Sequence, residues 1–391
     1  MAECFSVSTH CKPAQEHLFI SSQGYLAPCC FIKNASTRLQ DVQDPLTWFY
    51  QNDSQYQLRQ NLNNNVKDAR CGVCWKNEAQ GKWSLRTNEN GDNYQGSQPS
   101  LRLLHIVGGR LCNLACKMCY ADLSSMVQKE QRPWERSYPN EKDYNWIDQQ
   151  ENINKLIALA NTDTLEELQL QGGEPQLIKG FLDVLESIPY ERKQNMQIQV
   201  TTNGTVFNER FWQQVKDFRY LIVGLSIDAT AERYNLIRYH GDWTVTEKNT
   251  KKLFRYLADQ REFGFSLNMN IVQQLSNLDQ SSRLAEFLES LNRSHSKLST
   301  YHTLMPVGDN ACWDLHNVPT EILVACRDQM QGKYALEREW RRNIDQAIQQ
   351  NNFTSQHAQE VINREQWFQT THGKCVWHER PDWKQIYEKN C

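Results

Sequence analysis

No stretch of the 391 residues is apolar for the roughly 18 positions that a bilayer-spanning helix needs, so the sequence contains no membrane span. Net charge of one sign is also missing. Lys and Arg number 43 against 46 Asp and Glu, a formal −3, and there is no bulk pull toward nucleic acid or acidic lipid. The N-terminus, MAECFSVSTHCKPAQEHLF, has no basic region followed by an apolar stretch, the pattern of a secretory signal. The expected address is the cytoplasm, with no nucleic-acid and no membrane partner. What remains is an ordinary globular composition, 39% hydrophobic and 23% charged, long enough to bury a large core.

Cysteine is the residue in excess. There are 13, nine of them before position 120. A disulfide framework belongs to short secreted chains, and an odd count leaves one thiol over. In a reducing compartment, Cys-x2-Cys and Cys-x3-Cys spacings point to a metal ion or a cluster instead.

Three regions are expected. Residues 1–95 are cysteine-rich, with a hairpin in HLFISSQGYLAPCCF and a polar helix near 52–66, and the linker TNENGDNYQGSQPS follows. Across 101–307, short apolar runs alternate with amphipathic stretches. Strands are expected at 101–107, 165–171, 196–202, 220–227, 265–272 and 300–307, with helices between them. That order implies parallel strands with crossover helices, a partial (β/α)6 barrel whose chemistry sits at the C-terminal strand ends. Residues 308–391 read as a mainly helical extension.

Cys112-Asn-Leu-Ala-Cys116-Lys-Met-Cys119 directly follows the first of these strands. Three thiolates in one loop can hold three irons of a [4Fe–4S] cluster and leave the fourth iron open to a small molecule. A zinc site that borrows a fourth ligand such as His105 is the competing reading. The loop, with Met118 before its last cysteine, resembles the signature of radical S-adenosylmethionine (SAM) enzymes. Gln171-Gly172-Gly173-Glu174-Pro175 closes the second strand and resembles the Gly-Gly-Glu-Pro segment that holds the SAM amino group. Read without the resemblance, it is a Gly-Gly turn into a Pro-initiated helix. Thr201-Thr202-Asn203-Gly204 closes the third strand and is similar to the family's segment beside the SAM ribose. Ser226-Ile227-Asp228 with Ile237-Arg238 is similar to the pattern of members with peptide-type auxiliary domains, whose Ser and Arg reach the SAM carboxylate.

The resemblance implies reductive cleavage of SAM at the open iron to a 5′-deoxyadenosyl radical, which abstracts hydrogen from the substrate. It also implies an external electron donor such as flavodoxin or ferredoxin. A second set, Cys11-x12-Gly24-x4-Cys29 with Cys71-x2-Cys74, resembles twitch and SPASM domains and implies a second, fully ligated [4Fe–4S] cluster. In better-known members that domain follows the barrel; here it precedes it. Cys30 is the alternative to Cys29, and a Cys4 zinc site is the alternative to the cluster.

Cys312 follows the last strand and is the candidate hydrogen-atom donor. Cys326, Cys375 and Cys391 lack ligand spacing, and His302 and His316 read as structural. The insertion with Trp134, Tyr138, Tyr144 and Trp146 is a substrate lid or a surface excursion. Three functions stay open: peptide modification by epimerisation, crosslinking or oxidation; oxidation of a small metabolite such as an alcohol or sugar; and a non-catalytic zinc or iron–sulfur protein.

Overall fold

The computed structural model of the protein describes residues 8–32, 35–91, 94–135, 146–294, 296–307 and 311–391. Ten strands lie among them: β1 (His17–Ile20), β2 (Leu26–Ala27), β3 (Leu103–Val107), β4 (Ala115–Cys116), β5 (Glu167–Gln171), β6 (Gln197–Thr202), β7 (Tyr220–Ser226), β8 (Arg238–Tyr239), β9 (Phe265–Val272) and β10 (Leu298–Met305). All six expected strands are present, as β3, β5, β6, β7, β9 and β10. The fold is a mostly parallel α/β arrangement with helices between the strands. Among the described residues, no helix is long and apolar enough to cross a membrane.

The chain forms two compact units, and the boundary between them runs through the expected barrel. One comprises Met1–Leu111, Ser137–Val200 and Glu209–Leu221; the other comprises Cys112–Arg136, Thr201–Asn208 and Ile222–Cys391.

In the first unit, β3 pairs in parallel with β5, and β5 with β6. Their inward alternation places Leu168 and Leu170, then Ile198 and Val200, in the core. Phe181, Val184 and Leu185 of the helix Lys179–Ser187 are fully buried in the same unit. Each such side chain stabilises the fold by about 1.5–3 kcal/mol through loss of water contact. The expected hairpin forms, Phe19 opposite Ala27, and it does more than the local pattern indicated. Strand β1 also pairs in parallel with β3, in the register His17–Leu103 to Ile20–Ile106.

That pairing buries two histidines. Burial pushes the His17 imidazole down to about 3, with Lys12 and His105 adding to it, and pushes His105 down to about 4. His105 lies edge-on to Phe19, with ring centroids 5.0 Å apart. An unfolded histidine takes a proton below about pH 6.5, whereas these stay neutral until far lower. Their stabilising effect is therefore complete above about pH 6.5 and is lost as the pH falls toward 4. The urea midpoint should drop between about pH 7.5 and pH 5, and His105→Gln should flatten that drop; equal slopes in both proteins would refute the assignment.

In the second unit, β7, β9 and β10 are parallel. Strand β9 alternates Phe265, Leu267, Met269 and Ile271 into the core. The helix Trp243–Gln260, capped by Asp242, buries Leu253, Phe254 and Leu257, with Phe254 stacked on Phe265. The helices Thr320–Asp328, Ala335–Gln349, Ser355–His372 and Pro381–Lys389 make up the helical extension expected after residue 308.

Candidate radical SAM site

The loop after β3 is shaped by its own backbone before any thiol is considered. Ser125 Oγ accepts from the Cys112 amide and donates to the Cys112 carbonyl, while Ser124 Oγ donates to the Leu114 carbonyl and caps the helix Ser125–Glu130. Ala115 and Cys116 form β4, antiparallel to β8, with Cys116 opposite Arg238; the Lys117 amide donates to the Ile237 carbonyl. The Ile-Arg segment and the middle cysteine are thus neighbours by strand register.

That register delivers a cation to the thiols. Arg238 Nη1 donates to Cys116 Sγ over 3.7 Å, and Nη2 pairs with Asp228 Oδ2 at 2.7 Å. Asp228 is fully buried, and its Oδ1 accepts from the Val272 amide. Burial raises the Asp228 carboxyl, and Arg238 opposes it. Asn203 Nδ2 lies 3.9 Å from Cys112 Sγ and 3.1 Å from Asn113 Oδ1, while its Oδ1 accepts from the Thr205 amide and hydroxyl. Thr202 is buried, and its Oγ1 accepts from the Gly204 amide. Burial pushes the Cys119 thiol well up, and Cys116 and Cys112 push it further, so the three sulfurs share one electrostatic neighbourhood. Met118 is buried among them in sequence, and Ser226 is half-buried at the end of β7. Three neighbouring thiols, two of them met by a guanidinium and an amide donor, suit a cluster with three thiolate ligands.

Three residues escaped sequence reasoning. Lys117, between two of the cysteines, is fully buried and pairs with fully buried Glu365, Nζ to Oε1 and Oε2 at 2.7 and 2.8 Å; Ser276 Oγ accepts a further bond at 3.1 Å. Arg132 is fully buried and donates to the carbonyls of Ala115, Cys116, Lys117 and Cys119. A lysine or arginine carries no local mark that it will be buried, since most are solvated.

The Gly-Gly-Glu segment lies in the first unit. A Cβ on Gly173 would sit 2.2 Å from the Leu111 carbonyl oxygen, and Gly172 has a φ of +147°. Close approach is therefore required, but it is to the chain's own backbone. The Glu174 amide donates to Leu111, the residue before Cys112 in the chain. Glu174 is fully buried and caps the turn Pro175–Leu177, with its Oε1 accepting from Gln176 Nε2 at 3.1 Å.

The N-terminal cysteines also gather, within the first unit. Burial pushes Cys11 and Cys71 each up to about 12. Cys71 and Cys74 raise Cys11 further, and Cys74 raises Cys71. Cys29 is pushed up by burial and then by Cys30, Cys11 and Cys71. Cys30 is exposed and senses Cys74. Cys11, Ala14, Leu58 and Leu62 form an apolar cluster, with Ile32, Cys71 and Trp75 packed against it.

Cys312 is buried in the turn Ala311–Trp313, which packs on the helix Ser355–His372, and burial pushes its thiol up to about 12. His302 pairs with Glu339 and His316 with Asp314. Of the insertion's aromatics, Tyr138 and Tyr144 lie outside the described residues. Trp134 packs among Trp313, Trp367 and Phe368. Trp146 is buried, and its Nε1 donates to the Ser22 carbonyl.

Residues 106–271 match the Radical SAM superfamily. The chain carries a radical SAM domain. That radical SAM domain is similar to part of GTP 3′,8-cyclase of a Synechocystis species, 26% identical over 166 residues, 42% of this chain and 44% of that one. It is also similar to part of Fe-coproporphyrin III synthase of Methanosarcina barkeri, 27% identical over 129 residues, 33% of this chain and 28% of that one. The chain spans less than half the length of these curated relatives. Among solved structures, Streptococcus suis SuiB is 17% identical with a TM-score of 0.34, covering 66% of this chain and 47% of that one.

Proposed function

We propose that this radical SAM protein cleaves SAM reductively and uses the resulting radical chemistry to modify a peptide. The observation that carries the reading is the convergence of Cys112, Cys116 and Cys119 with Arg238 and Asn203 directed at two of the sulfurs. When bound, a [4Fe–4S] cluster with an open iron supplies the electron for SAM cleavage. The three thiolates hold three irons, and the hydrogen bonds from Arg238 and Asn203 stabilise the thiolate charge. Glu174 accepts from the SAM ammonium beside Gly172 and Gly173, Thr202 and Asn203 face the ribose, and Ser226 with Arg238 serves the carboxylate, with Asp228 orienting Arg238. Cys312 is the hydrogen-atom donor of this scheme. Electrons come from a flavodoxin or a ferredoxin. The peptide assignment is supported by the Ser226-x-Asp228…Arg238 pattern. A small-molecule substrate is the second reading, favoured by the names of the GTP cyclase and coproporphyrin synthase relatives.

The test is anaerobic reconstitution, reduction and SAM addition, followed by assay for 5′-deoxyadenosine with and without short peptides encoded beside the gene. Release of 5′-deoxyadenosine with a mass change in such a peptide is expected. No release would overturn the reaction; release with unmodified peptides and an altered metabolite would favour the second reading.

Glu174→Gln keeps an acceptor oxygen for the Pro175–Leu177 turn and removes the charge. SAM should bind about tenfold to a hundredfold more weakly, the equivalent of roughly 1.5–3 kcal/mol, with the iron content unchanged. An unchanged dissociation constant would reduce the segment to a turn.

Cys11, Cys29, Cys71 and Cys74 hold a second [4Fe–4S] cluster with no open iron, in the manner of a twitch domain. A variant lacking Cys112, Cys116 and Cys119 should retain about four irons, and the electron paramagnetic resonance signal of its reduced form should ignore SAM. Stoichiometric zinc without iron would replace the cluster by a structural ion.

A further inference from the structure

Glu130, His240 and His372 come from three separated parts of the second unit. Glu130 ends the helix Ser125–Glu130, His240 follows β8, and His372 ends the helix Ser355–His372. Glu130 Oε1 lies 2.9 Å from His372 Nε2 and 3.6 Å from His240 Nε2, and the group offers three ligand atoms all within 4.8 Å of one another. Two ligands about 2.1 Å from one ion, at tetrahedral or octahedral angles, are about 2.9–3.4 Å apart. The Glu130–His372 spacing falls at the short end of that range, and the Glu130–His240 spacing lies a few tenths of an ångström beyond it, within the reach of the exposed His240 side chain.

Burial supplies a second, independent observation. The side chains of Glu130 and His372 are only 7% and 9% exposed, yet Glu130 Oε1 and His372 Nε2 make no hydrogen bond. The two atoms meet as a close ion pair at 2.9 Å. A carboxylate and an imidazole held this close in a largely buried site, without a well-aligned hydrogen bond between them, leave polar capacity that a further partner can satisfy. One cation reached by both atoms would do so.

The surroundings are those of a supported site. Arg132 Nε donates to Glu130 Oε2 at 2.8 Å and so orients the carboxylate with Oε1 turned to the histidines. The positive charge of Arg132 is offset by the four carbonyls that its other nitrogens reach. The His372 ring lies flat on Tyr239, with centroids 4.0 Å apart and planes 14° from parallel, which fixes its direction. His240 is 42% exposed and opens the group to solvent. Its φ of +67° is a backbone conformation better suited to glycine, and here it carries an imidazole.

We infer that Glu130, His240 and His372 form a divalent transition-metal site of the two-histidine, one-carboxylate kind, that Zn²⁺ occupies it, and that water completes the coordination. The ion ties the end of the helix Ser355–His372 to the turn after Arg238. Through Glu130 and Arg132 it also ties that helix to the carbonyls of the Cys112–Cys119 loop. Its role is that of a clip on the loop, separate from the thiol ligands.

The test uses protein whose cysteine sites are loaded with iron and sulfide, stripped of loosely held ions and titrated with Zn²⁺. Wild type should take up one equivalent more than His372→Ala or His240→Ala, and Zn²⁺ should raise its Tm by a few degrees but not theirs. His240 is exposed, so His240→Ala leaves folding unharmed and should weaken zinc binding at least about tenfold. Zinc displacing iron from thiols would appear equally in all three proteins. Equal stoichiometry and equal Tm shifts in wild type and His240→Ala, or no uptake by wild type, would overturn the site. Neither readout involves SAM turnover.

Discussion

Reconstituted Cys116→Ala protein releases no 5′-deoxyadenosine above background under conditions where wild type does, and its iron content falls from about eight to about four per chain. Cys116 is the middle thiol of the triad, buried in β4 and fixed opposite Arg238 by strand pairing. On the proposed reading each of the three thiolates holds a different iron, so losing one leaves two ligands and no stable cluster with a single open iron. The substitution also removes the sulfur that Arg238 Nη1 approaches, leaving that guanidinium with Asp228 as its remaining charged partner. An alanine in a two-residue strand preserves the backbone, so the circular dichroism of the variant should stay near wild type, and its Tm should be compared with wild type in the cluster-free proteins. Wild-type yields of 5′-deoxyadenosine from this variant would sink the radical SAM reading of the site. A loss of all eight irons would show instead that the N-terminal cysteines hold no separate cluster.

Glu365→Ala lowers the stability of the protein by about 3–5 kcal/mol, because it leaves the Lys117 ammonium buried without its counter-charge. Both side chains are fully buried, and Glu365 also accepts from the Val376 amide at 3.2 Å. What remains around Lys117 is Ser276 Oγ and the faces of Phe368 and Trp313, 5.1 and 5.7 Å from Nζ, too weak to hold a desolvated ammonium. The energy of the pair is distinct from the energy of breaking it. The double variant Lys117→Met, Glu365→Leu removes both charges and should be much closer to wild type than Glu365→Ala. Urea unfolding of the three proteins decides this. A Glu365→Ala midpoint within error of wild type would mean that water reaches Lys117. Since Lys117 lies between Cys116 and Cys119, the single variant should also hold iron less well, whereas the double variant should recover it.

The sequence by itself determined the strand set, the helices between the strands, the cysteine triad and the Gly-Gly-Glu turn. The reason is physical: apolar alternation within a strand and ligand spacing within a loop are local patterns, visible without knowing what packs on them. β9 alternates core and non-core residues over its whole length, and 265–272 could be read from that alone. Tertiary structure decided the rest. Only the fold places β1 beside β3, pairs β4 with β8 so that Arg238 meets Cys116, and brings Lys117 to Glu365 across 248 positions. Glu130, His240 and His372 likewise carry no motif, since none lies within reach of another along the chain. Nothing local separates a lysine or histidine destined for burial from one left in water. That difference is set by the partners that folding brings to it, and those partners come from distant sequence.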